Sequence, residues 1–191
     1  METQSSVSTE RLGPSFICFL IWTFISIARP QDFMVFLVPL RPVLVICVVT
    51  IAMMFLEGVS LPRGIFKLTE VRLVLLLCLV MLVGTPFAVH RGVSFSFLTT
   101  VMPATLLYFL VTVIQVRSLR RLQVTAAVAV VSLLFCASLY ILEASAYQGF
   151  RAAASAMYDP NDAALLFATF IPLCLYLLFA WQGRVMKVLS V

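Results

Sequence analysis

Four polar residues stand together at the edge of a long apolar run: Asp159, Pro160, Asn161 and Asp162, in SAMYDPNDAALLFATF, residues 155–170. Two carboxylates and an amide this close can serve a helix start. If a helix begins at Pro160, Asp159 is its N-cap, proline takes the first helical position and Asp162 falls at the third. The acids then satisfy orphan amides and face the positive helix end, worth about 0.3–1 kcal/mol per group where exposed. Capping makes no demand for an amide at the second position, so Asn161 is left over. A polar cluster at that point could instead hold a headgroup, a sugar or a neighbouring loop, and the two roles can coexist.

Two arginines offer a second kind of chemistry. Arg91 and Arg151 each follow an apolar run, and a guanidinium beside a bilayer can form paired hydrogen bonds to a phosphate or pyrophosphate. The plainer role for either is a solvated loop charge. His90 is the only histidine and adjoins Arg91; it is open to reading as an interfacial residue or as a general base. Arg29 and Asp32, in RPQD, are placed to pair locally and brace a bend. Other chemistries lack their signatures: there is no phosphate-cradling glycine loop, HExxH, CxxC or serine elbow. The motifs therefore leave any catalytic residue unknown and point to no metal ligand.

What must position these residues is a set of membrane spans. The 191 residues are 63% hydrophobic and 11% charged, whereas soluble domains carry about 25% charged residues. Apolar runs approaching the ~20 residues that cross a bilayer fall at Pro14 to Ala28, Leu40 to Leu56, Leu73 to Val89, Phe95 to Val116, Leu122 to Leu142 and Ala163 to Trp181. Between the first two, RPQDFMVFLVPLRP holds three prolines and reads as an interfacial elbow. Cys18, Cys47, Cys78, Cys136 and Cys174 each fall in a different run, like small apolar residues. The leader before Pro14 carries Glu2, Glu10 and only Arg11, so the first run is expected to be retained as a span and not cleaved.

Loop charges set an orientation. With the N-terminus inside, cytoplasmic segments hold nine basic residues (Arg11; Arg63, Lys67 and Arg72; Arg117, Arg120 and Arg121; Arg184 and Lys187) against four outside, Arg29, Arg41, Arg91 and Arg151. Positive charge is retained inside, so the expectation is an all-α, polytopic transmembrane helical bundle of about six spans with both termini cytoplasmic. Residues 1–13 form an N-terminal tail, 14–181 the membrane domain with an outer loop at 143–162, and 182–191 a second cytoplasmic tail. The formal net charge of +5 is then topological, and no basic stripe interleaved with aromatics points to nucleic acid.

The stretch YDPNDAALLFATFIPLCLYLLF, with DPND at the outer mouth of a span and Pro172 about one-third along it, resembles the O-antigen ligase and polymerase family of bacterial envelope glycan enzymes. RPQDF followed by LRP, after the first span, is similar to that family's N-terminal region. The resemblance implies a multi-pass protein of the bacterial inner membrane that transfers glycan from an undecaprenyl pyrophosphate carrier to lipid A core or another acceptor at the periplasmic face, with no cofactor or essential metal. It marks Arg91, Arg151, Asp159, Asn161 and Asp162 as substrate-binding candidates. Family members have about twice as many spans, and their catalytic arginine and histidine lie in a later loop with no counterpart before QGRVMKVLSV. The chain is thus expected to be the N-terminal half of such an enzyme, truncated before a further span and not catalytic alone. Two other classes remain open: a small transporter or flippase-like carrier, and a membrane assembly subunit whose small residues in AAVAVV, 126–131, pack on a partner.

Overall fold

A computed structural model describes residues 12–60, 62, 64–146 and 160–189. Among the described residues every regular element is helical. The α-helices are α1 (Pro14–Ala28), α2 (Pro30–Phe33), α3 (Pro42–Leu56), α4 (Thr69–Gly84), α5 (Arg91–Gln115), α6 (Leu119–Ala146) and α7 (Pro160–Leu189). Three stretches are long and apolar enough to cross a membrane: Thr69–Phe87, Arg91–Gln115 and Leu119–Leu139. This is a membrane protein. The helices α1 and α3 are shorter, at 15 residues each, or about 22 Å.

Prolines set most of the boundaries. Pro14 and Pro42 occupy the first turns of α1 and α3, where a missing N–H costs nothing. Arg29 and Arg41 each precede a proline whose ring disfavours the right-handed helical region for the residue before it. Both take left-handed backbone, at φ 42° and 43°, which costs each about 1 kcal/mol. The expected elbow is therefore a broken segment bracketed by two Arg-Pro pairs, holding the single turn of α2 and a 3₁₀ stretch, Val35–Leu40.

Several boundaries differ from the sequence reading. The third apolar run leaves α-helix at Gly84 and passes through a 3₁₀ turn, Thr85–Phe87, because Pro86 cannot donate to the carbonyl four residues back. The next helix begins at Arg91, four residues before the expected Phe95. The final helix also continues past Trp181 to Leu189.

The chain packs as two units, residues 58–118 and the remainder. In the larger unit α1 packs against both α3 and α6. Its buried face, Ser15, Phe16, Phe19, Trp22 and Thr23, follows the three-and-four spacing of one helical side. Opposite it, α6 buries Ala126, Ala129, Ser132, Leu133 and Cys136. Small side chains let helix backbones approach closely, which is what drives association where lipid removes the hydrophobic gain. The Arg121 guanidinium lies 5.1 Å from the centre of the Phe16 ring, and the Phe24 and Phe135 rings are 5.6 Å apart. Early residues meet early and late meet late, so α1 and α6 run parallel. Three buried hydroxyls are satisfied within their own helices: Thr23 donates to Phe19 O (2.9 Å), Thr50 to Ile46 O (2.7 Å) and Ser132 to Val128 O (2.6 Å).

The smaller unit is a hairpin of α4 and α5. Its base is closed by arginines: Arg117 Nη2 donates to Ser60 O (2.6 Å) while its Nε donates to Ile114 O (2.8 Å), and Arg72 Nε donates to Phe66 O (3.1 Å). Ile65 and Val71 are buried near that base. Above it the apolar side chains are largely exposed, among them Leu76, Leu79, Val83 and Phe95.

Candidate functional site: the α7 start and the α4–α5 tip

The polar cluster that opens α7 is described in part. The helix begins at Pro160, which puts proline at the first position, Asn161 at the second and Asp162 at the third, the register the capping reading requires. Asp159 and Arg151 lie outside the described residues, as do 147–159 generally. The expected outer loop is shortened at its start, since α6 runs on to Ala146. Along α7, Pro172 leaves the carbonyl of Ala168 without its helical donor. Thr169, Phe170, Leu173 and Tyr176 surround a shallow depression there.

Arg91 has a different setting from the loop position expected of it. It is the first residue of α5, with His90 as N-cap, and Ser94 N–H donates to His90 O at 3.1 Å to close the opening turn. No side chain caps this helix start. Both His90 and Arg91 are exposed. Arg91 belongs to the 58–118 unit and Asn161 and Asp162 to the other.

Below Arg91 the hairpin is cleft. Between the end of α4 and the start of α5 lies an open hollow of about 420 Å³, lined by Met81, Gly84, Thr85, Val93, Phe97 and Leu98 among others. A second of about 370 Å³ continues down the same two helices past Leu98 to Leu75 and Leu106. The walls are almost wholly apolar, and the Thr85 hydroxyl already donates to Met81 O (2.8 Å). The Cys78 thiol and the Thr85 and Ser94 hydroxyls are the polar groups of the lining, with no acid, histidine or lysine beside them, so the hollows suit an apolar chain.

The larger unit holds one polar constellation that sequence reading missed. Glu57, just past α3, accepts from Ser15 N–H at 3.1 Å through Oε1 and from the Ser15 hydroxyl through Oε2. A carboxylate from another helix thus caps α1, whose own N-cap Gly13 has no side chain to do so. Space is also tight there: a Cβ at Gly13 would stand 3.1 Å from both Glu57 oxygens, so a larger residue would push the carboxylate aside by a few tenths of an ångström. The bond holds the start of α1 to the end of α3, so these two helices run antiparallel. Arg121, in the first turn of α6, stands where the helix dipole disfavours a cation; its position over Phe16 offsets that cost. Ala126 and Ala129, which the assembly reading assigned to a partner, are buried in this unit.

No family model, curated protein or solved structure matches this chain.

Proposed function

We propose that the chain is the front part of an inner-membrane glycan ligase or polymerase, contributing a scaffold and one wall of a periplasmic site that receives undecaprenyl-pyrophosphate-linked glycan. The observation that carries the reading is DPND at the head of α7 with Pro172 inside the same helix. The helix begins at the proline of that motif, so Asn161 and Asp162 share the first turn. Six membrane crossings with both ends cytoplasmic fit the directions within the larger unit: α1 parallel to α6 and antiparallel to α3 is the alternation that such a chain needs. The short α1 and α3 can be matched to a bilayer by local thinning and by snorkelling of Arg29 and Arg41 at their ends. The acceptor in this reading is lipid A core or another envelope hydroxyl, and Arg91 and Arg151, both assigned to the outer side by the loop charges, are the candidates to meet the pyrophosphate.

The test is glycan transfer in cells that carry the gene at its own locus. Asn161→Ala and Asp159→Ala should each lower ligated or polymerised glycan about tenfold, the loss of one charge-assisted hydrogen bond, at unchanged membrane abundance. Normal transfer by both variants would sink the reading.

A further inference from the structure

Arg91 is a charge without a counter-charge in its own segment. No acidic residue occurs between Glu70 and Glu143, and Glu70 opens α4, about 21 Å along the helix from its end at Gly84. The 58–118 unit carries five Lys and Arg (Arg63, Lys67, Arg72, Arg91 and Arg117) and one acid. Arg72 and Arg117 are used in holding the base to backbone carbonyls, whereas the Arg91 side chain makes no bond within the described residues. Arg91 precedes by three residues Ser94, which lines the upper hollow, and the two hollows share Leu98, so that together they are lined by α5 from Val93 to Leu106, about 20 Å. One leaflet of hydrocarbon is about 15 Å deep. A cation at the head of an apolar groove at least as long as a leaflet is deep matches an amphiphile with an anionic head.

We propose that the α4–α5 groove is a binding site for an anionic bilayer phospholipid, whose phosphate is held by Arg91 and one acyl chain of which lies along Leu98. The lipid is a structural ligand that fills a hairpin the chain leaves open. This rests on the helices crossing a membrane and not on glycan transfer, and the two readings compete only for the Arg91 guanidinium.

The experiment purifies the full chain from nanodiscs of equimolar phosphatidylglycerol and phosphatidylcholine and quantifies retained lipid by mass spectrometry. Wild type should retain phosphatidylglycerol about fivefold over phosphatidylcholine, the ratio expected for one basic residue at a membrane surface. Arg91→Gln should bring the ratio close to one, and Arg41→Gln should leave it unchanged. Gly84→Leu fills the groove from a position where an added Cβ meets no atom within 4 Å; it should cut retention of both lipids while the protein stays monodisperse. Four results would overturn the proposal: a preference that survives Arg91→Gln, an equal loss in Arg41→Gln, undiminished retention in Gly84→Leu, or complete displacement by a tenth as much polyprenyl phosphate. The last would assign the groove to a carrier lipid instead.

Discussion

The spanning stretch of α6 and those of the α4–α5 hairpin are about equally apolar, yet they spend that apolarity differently. In α6, 28% of the spanning stretch is buried, against 6% in α4. Where lipid is as apolar as leucine, burial follows shape and not hydropathy. The α6 face offers Ala126, Ala129, Ser132 and Cys136 to the large rings of α1, whereas α4 offers Leu75, Leu76, Leu77 and Leu79, which hold a neighbouring backbone away. The hairpin is fastened at its base by arginine bonds, and the larger unit along its helices by side-chain packing.

That contrast can be broken most sharply at Phe19, fully buried in α1. Phe19→Ala should cost about 3 kcal/mol, the lower end for a buried aromatic, and lower the melting temperature measured in detergent by several degrees. A smaller loss, about 1–2 kcal/mol, is expected for Ser15→Ala or Glu57→Gln. Their double-mutant cycle should show the two effects overlapping, and strict additivity would mean that the interhelix cap contributes nothing. Replacing Arg117 with Ala removes two bonds at the hairpin base and should cost about 1 kcal/mol, visible as faster amide exchange in 58–68 while the α1 amides stay protected. The smallest effect belongs to Leu79→Ala, on a side chain 54% exposed, which should stay within about 0.5 kcal/mol. A loss at Leu79 as large as that at Phe19 would erase the distinction between the two units.

Helix positions were legible because apolar runs and prolines are local signals. The bounds of α1 follow from Gly13-Pro14 at one end and Arg29-Pro30 at the other, and the start of α7 follows from Asp159-Pro160. Pro86 carried the same signal for the end of α4, and the long apolar run around it concealed the break. Contacts across the chain left no such trace. Ser15 and Glu57 are 42 residues apart, and neither residue type nor spacing announces their pairing. Arg121 reads from sequence only as one of three basic residues in a cytoplasmic segment, although its guanidinium serves the α1–α6 contact. The groove is equally silent, since its lining residues are those of any lipid-facing helix. Of the candidate site, the register of Asn161 and Asp162 could be read in advance, and the placement of Arg91 on a helix could not.

The Glu57 cap also has a consequence in time. The first turn of α1 leaves the ribosome without the carboxylate that completes it, and that group is made 42 residues later. At about 5–20 residues per second the wait is roughly 2–8 s. For that interval α1 is an unfinished element, and it is finished only when α3 has been made and has turned back beside it. The α1–α3 pair can therefore close before α6 has been made, and a ribosome stalled before Glu57 holds a helix still waiting for its end.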